Sequence, residues 1–285
     1  MKMSRGGPVC IYHFPCADGF TAAWAFWKRF GDDGMEFVPG SYGEDPDFSN
    51  YKGRDVYLVD FSYKRPRLKE LASIANRVII IDHHKTAAED LAGLEDELDN
   101  VFVHFDMDRS GAMMAWNYLN DTEDVPTLVK YVQDRDLWRF DLPWSKEASS
   151  YIFAHDYTWE NWDRLQHEFE TAFSKVMSGG AAIDQKHMKD VKELMAASKR
   201  RIILGGVDVP VVNLPYTMSS EGCNILAQGE PFAASYFDKG DHRMWSLRSV
   251  KGGRDVSKVA AMYGGGGHEN AAGFQSGLDW CGDIV

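Results

Sequence analysis

The chain has 285 residues, 44% of them hydrophobic and 13% aromatic, which supports a packed core and excludes a disordered chain. A formal net charge of -12 argues against a partner held by a broad basic face, such as long duplex DNA. A small phosphorylated ligand stays within reach, because bound cations reverse the sign of the field locally.

The opening MKMSRGGPVCIYHF carries a basic touch but no secretory signal, and no run of about 20 apolar residues follows it, so no membrane partner is expected. Cys10, Cys16, Cys223 and Cys281 form no C-x-x-C pair, which suits a reducing, cytoplasmic setting. Val9 to Tyr12 reads as a strand and TAAWAFWKRF (21–30) as a helix. RDVYLVD (54–60) is a second strand, and Arg67 to Ala75 a helix with Leu68, Leu71 and Ala75 on one face. RVIII (77–81) and VFVHF (101–105) are further strands; SGAMMAWNYL (110–119) and VPTLVKYV (125–132) are helical. Residues 159–200 are mostly charged helix, ending in a connector at 186–201. Strand signals resume at 202–213, 232–237 and 244–250, and DVSKVAAMYGGGGHENAAGF (255–274) reads as a helix broken by four glycines.

This order predicts an α/β fold: a mostly parallel sheet with flanking helices, a helical connector, and a second, smaller α+β domain. The expected domains are 1–195, including the connector, and 202–285. In parallel sheets ligands gather at the carboxyl ends of the strands. His13, Asp60 and the triplet Asp82–His83–His84 all fall at such ends.

His13, Cys16 and Asp18 lie in a strand-to-helix turn, where His and Asp are ordinary ligands for divalent metals and Asp18 could equally serve the helix start. Asp60 could be a ligand or a turn residue. In the triplet, one imidazole could bind metal, another face a substrate, and Asp82 orient an imidazole. Asp134 or Asp136 in QDRDLW could complete a metal cluster, whereas Asp106 or Asp108 reads as a cap for the helix near Ser110. His155 and His167 have no spacing partner. In the second region, GGGGH (264–268) is expected to offer backbone N–H groups to a phosphate, aided by His268 and Arg248, or to be a simple tight turn. It fits neither the P-loop nor the dinucleotide fingerprint.

Together these motifs resemble the DHH phosphoesterases with an associated C-terminal domain that carries a GGGH signature. IIIDHH (79–84), PCADGFTAA (15–23), LVDFS (58–62), QDRDLW (133–138), SLRS (246–249) and MYGGGGHENAAGF (262–274) carry the likeness, in order, over essentially the whole chain. The resemblance implies two divalent ions, commonly Mn2+ with Mg2+, Zn2+ or Co2+ as alternatives, held by His13, Cys16, Asp18, Asp60, His83 and Asp136. It places His84, with Asp82 and His83, at the phosphate. Arg248, Gly265, Gly266, Gly267 and His268 become substrate contacts. Cys16 stands where the family usually has aspartate; its thiolate is a softer ligand than a carboxylate and implies an altered first metal site.

The implied activity is hydrolysis of a short oligonucleotide or dinucleotide to nucleoside monophosphates, with Phe14, Tyr42, Trp138 and Tyr216 as aromatic candidates for stacking a base. Cleavage of a cyclic dinucleotide, dephosphorylation of 3'-phosphoadenosine 5'-phosphate, and a nucleotide-binding protein without catalysis are the alternatives. A homodimer is left open.

Overall fold

The computed structural model describes residues 6–43, 46–120 and 124–283; the expectation placed on the first five residues lies outside them. The chain divides into two compact units, Met1–Asp184 and Gln185–Val285.

The first unit is built on five parallel strands: β1 (Val9–His13), β2 (Glu36–Gly40), β3 (Asp55–Val59), β4 (Arg77–Asp82) and β5 (Val101–Phe105), in the order β2-β1-β3-β4-β5. Between and after them run α1 (Ala17–Gly34), α2 (Arg65–Ile74), α3 (Lys85–Leu91), α4 (Leu94–Glu97), α5 (Gly111–Leu119), α6 (Thr127–Asp136), α7 (Ser145–Phe153) and α8 (Trp159–Thr171). The apolar runs of β1 and β4 are explained by burial on both faces. Cys10, Tyr12, Ile79 and Ile81 enter one core with Phe20, Trp24, Ala112 and Trp162. Their neighbours Val9, Ile11, Val78 and Ile80 enter a second core with Leu68, Leu71 and Leu94.

The mostly parallel sheet with flanking helices is as expected. Strand β2 was not. EFVPG shows no apolar alternation, and it pairs only with β1, at the sheet edge where Pro39 needs no partner on its outer side. Helix α1 begins a turn earlier than the periodicity indicates, and α6 continues to Asp136.

The helix α9 (Phe173–Ser198) is continuous across the division between the units. The second unit holds β6 (Arg200–Leu204), β7 (Val207–Asn213), α10 (Ser219–Leu226), β8 (Ala233–Lys239), β9 (His242–Arg248), α11 (Val256–Ala261), β10 (Gly266–Gly267) and β11 (Ala271–Gly277). Its sheet order is β10-β11-β9-β8-β7-β6, antiparallel except for β7 with β8. The stretch 255–274 is therefore not one broken helix. Only Val256–Ala261 is helical, and Ala271–Gly277 is a strand whose Phe274 is stacked at 4° on Trp245. Among the described residues, no helix is long and apolar enough to cross a membrane.

Candidate metal centre

Three parallel strands deliver side chains to one end of the first sheet. His13 and Asp82 are the last residues of β1 and β4, and Asp60 follows β3 directly. Asp60 adopts φ 52°, a left-handed conformation unusual outside glycine, and its side chain is only 2% exposed. Such a conformation costs on the order of 1–3 kcal/mol and persists where surroundings enforce it. Here Asp60 N donates to the carbonyl of Ile81 at 2.9 Å, and its carboxylate is aimed among histidines.

The His83 imidazole is the hub. Its Nε2 lies 3.1 Å from Asp60 Oδ1, 3.5 Å from Asp136 Oδ2 and 3.7 Å from Asp18 Oδ2. Asp18 comes from the first turn of α1 and Asp136 from the last turn of α6. On the other side of Asp60, His13 Nδ1 lies 3.4 Å from Oδ2 and His84 Nδ1 4.0 Å from Oδ1. Among the described residues, two ligand-capable groups lie wholly within the first unit, Asp18–Asp60–His83 and His13–Asp60–His84, each with donor atoms within 4.8 Å of one another. Asp60 belongs to both.

Asp82 does different work. Its Oδ1 accepts from His84 Nδ1 at 2.7 Å, from His83 N at 2.8 Å and from His84 N at 3.3 Å. Its fully buried carboxylate therefore sets the turn and the orientation of His84.

The electrostatics describe an excess of negative charge on Asp18, Asp60 and Asp136, the first two buried and the Asp136 side chain 26% exposed. Burial, then the charges of Asp136 and Asp60, raises the Asp18 carboxyl well above its usual range. Burial also raises Asp136, with the Asp60 charge adding to it against the pull of His83. Burial pushes Asp60 up too, but the His13 and His83 rings outweigh it and hold Asp60 well below the usual range. Burial lowers His83, yet its bond to Asp60 and the charges of Asp136, Asp60 and Asp18 raise it to about 10. Three carboxyl groups, of Asp18, Asp60 and Asp136, converge on the one imidazole of His83. A set of carboxylate oxygens and imidazole nitrogens with surplus negative charge fits divalent cations.

Cys16 is the residue before α1 and belongs to neither ligand-capable group. Burial, then the charges of Asp60, Asp136 and Asp18, raises its thiol well above the ordinary range. Asp134 faces elsewhere: its carboxylate accepts from Asp141 N at 3.0 Å and Leu142 N at 3.2 Å, fixing the loop after α6. Of the QDRDLW aspartates, only Asp136 points at His83.

Gly111 was not singled out by the sequence. Its N–H donates to Asp18 Oδ2 at 2.6 Å, and Ala112 N donates to Oδ1 at 3.1 Å. The N-terminus of α5 thus holds the Asp18 carboxylate, as amide donors and the helix dipole favour. A Cβ at Gly111 would meet Asp60 Cβ at 2.4 Å and Asp18 Oδ2 at 2.9 Å. In the sequence Ser-Gly before an apolar run signals only a helix start. That cap is Ser110, whose Oγ accepts from Met113 N, and not Asp106 or Asp108. Asp106 instead accepts from Asp108 N and pairs with Arg109.

Tyr42, in the loop after β2, sets its ring 5.2 Å from His13 and 5.7 Å from His84 while 45% exposed. His155 bonds the Tyr151 carbonyl and His167 is exposed, both outside the cluster.

In the second unit, Arg248 closes β9 and donates to Ser220 Oγ and to the Leu247 carbonyl, both at 2.8 Å. The glycine run does not offer the row of open amides expected of it. Gly264, Gly265 and His268 donate to the carbonyls of Ala261, Ala260 and Ala271. Gly266 and Gly267 lie in β10, paired with β11. Glycine is required there by close packing: a Cβ at Gly265 would lie 2.0 Å from the Gly273 carbonyl oxygen.

No family model matches the chain. It is 28% identical to the uncharacterized protein R106 of Acanthamoeba polyphaga mimivirus over 299 residues, covering 96% of this chain and 68% of that protein. It is 28% identical to the oligoribonuclease NrnB of Bacillus subtilis (strain 168) over 225 residues, 73% of this chain and 55% of that one, so it spans about half of NrnB. Among solved structures it is similar to an exopolyphosphatase-related protein from Bacteroides fragilis, with TM-score 0.47, 15% identity and coverage of 98% and 88%. It is also similar to the pGpG-specific phosphodiesterase PggH from Vibrio cholerae, with TM-score 0.45, 13% identity and coverage of 96% and 94%.

Proposed function

We propose that the chain is a DHH-type metal-dependent phosphodiesterase that hydrolyses short oligonucleotides to nucleoside monophosphates. The observation that carries this reading is the pair of ligand-capable groups that share Asp60. The sequence likeness to the Bacillus oligoribonuclease supports the substrate class.

Asp18, Asp60, His83 and Asp136 would hold one divalent ion, and His13 with Asp60 a second; Mn2+ is the proposed metal, and Cys16 lines the site. Such ions supply Lewis acidity and a water acidified toward neutral pH. Asp60 would be the shared ligand. Asp82 orients His84, whose ring is the proposed donor to a phosphoryl oxygen. Burial, offset by the charge and hydrogen bond of Asp82, leaves the His84 pKa above its ordinary value, which favours the form able to donate. Gly111 and Ala112 keep the Asp18 carboxylate turned to its task.

The second domain, taken as 202–285 after a first domain of 1–195, would bind substrate through Arg248 and the 265–268 segment. A cytoplasmic setting accords with four free cysteines.

The test is product-resolved. Full-length protein is incubated with labelled RNA and DNA of two to about twenty nucleotides, a cyclic dinucleotide and 3'-phosphoadenosine 5'-phosphate, each with Mn2+, Mg2+ or chelator. Manganese-dependent release of mononucleotides from the shortest oligomers is expected. Turnover only of the cyclic or monoester substrate would move the activity there, and no turnover with little bound metal would make the protein a binder.

A further inference from the structure

The loop after α6 is an unusual piece of backbone. Within seven residues three large aromatic side chains stand at positive φ: Trp138 at 55°, Phe140 at 55° and Trp144 at 58°. For bulky residues each is an outlier, and strain of this kind concentrates at functional sites. The strain is held in place by Asp134. Its carbonyl accepts from Arg139 N and Phe140 N, and its carboxylate from Asp141 N and Leu142 N.

The result is a fixed aromatic and cationic surface. The Arg135 guanidinium lies 4.2 Å over the Trp138 ring and 5.6 Å from Phe153. Trp138 and Phe140 meet edge to face at 4.9 Å, and the Lys146 ammonium lies 5.5 Å over Phe140. Trp138 and Phe140 are half-buried and the neighbouring Phe153 is 49% exposed, so the cluster lies at the surface and not in the core. It begins one residue from Asp136, whose carboxylate faces His83 at 3.5 Å.

Charge alone does not define the ligand. Asp136, Asp141 and Glu147 balance Arg135, Arg139 and Lys146 across residues 135–147. A bare anion has little reason to settle there. A ligand with both a flat ring and a phosphate does, because it stacks on the ring–guanidinium pair and meets a cation at its edge.

We infer that Arg135, Trp138, Phe140 and Lys146 form a stacking platform for a single-stranded oligonucleotide, holding a base beyond the nucleotide that is cleaved. This rests on the hydrolase reading for its substrate, though its binding can be measured without turnover. A rigid platform accepts any base, since every base has a π face, so it selects for length and not for sequence.

The test is fluorescence anisotropy of a 5'-fluorescein-labelled pentanucleotide on the full chain in chelator, which stops hydrolysis. Trp138→Ala is expected to weaken binding about tenfold and Trp138→Phe to restore most of it. Arg135→Gln leaves both rings and the loop backbone intact, and is expected to weaken binding several-fold even where Trp138→Ala does not fold. Equal affinities for wild type and Arg135→Gln, or for wild type and a folded Trp138→Ala, would overturn the platform. Manganese-dependent hydrolysis of bis(p-nitrophenyl) phosphate, on the same protein preparations without chelator, reports separately on the metal centre. Its absence from wild type, with Trp138-dependent binding retained, would sink the hydrolase reading while supporting the platform.

Discussion

His83 Nε2 lies 3.1 Å from Asp60 Oδ1 in the interior, where each side chain is only 2% exposed. Asp60 reaches this position from a left-handed backbone, and among the described residues it belongs to both groups of the first unit able to hold a metal. Asp60→Asn removes the shared charge and is expected to lower metal affinity by more than the roughly 10–100-fold typical of residues behind the ligands. Metal content after dialysis, read by mass spectrometry, checks this; a variant that keeps its full complement would refute the role.

The pH dependence of stability follows from His83. Its pKa in the folded, metal-free protein is about 10, against an ordinary value of 6.5. The folded state therefore binds the proton more tightly than the unfolded chain. The stabilisation is fully present below pH 6.5 and is lost as pH rises through about 10. Asp18 and Asp136, both raised, have the same sign, with their window opening at 3.8. Thermal melts in chelator should show stability falling from neutral to alkaline pH. Divalent metal should stabilise the protein in that range by mass action. A chelated protein with no alkaline loss would contradict the charge arrangement.

Gly111→Ala tests the close approach behind the site. The added methyl would overlap Asp60 and crowd Asp18. A destabilisation of about 1–3 kcal/mol in urea melts is expected, together with weaker metal binding.

Asp134 and Asp136 should separate cleanly. Asp134→Ala leaves the amides of Asp141 and Leu142 without their acceptor, and is expected to cost about 1–3 kcal/mol of stability while metal content holds. Asp136→Asn is expected to lose metal with a small effect on the urea midpoint. The reverse pattern would reassign the ligand.

The sheet of the first unit was legible because strands buried on both faces leave unbroken apolar runs, as in RVIII and VYLV. The strand ends were legible for the same reason: His13, Asp60 and Asp82 interrupt those runs. EFVPG was not legible, since an edge strand with a proline carries no such run. Ala271–Gly277 was hidden by its small residues, which pack closely against β9 and the glycine segment and lack the alternation of an ordinary strand.

The sequence by itself determined which side chains arrive at the carboxyl end of the sheet, because strand ends and motif order are local properties of the chain. Only the tertiary structure decided which of them meet. Asp134 and Asp136 are two residues apart on the last turn of α6, so they point in different directions, and the packing of that helix chose Asp136. Gly111 lies 93 positions from Asp18, and nothing local in either stretch announces that a helix N-terminus would grip that carboxylate.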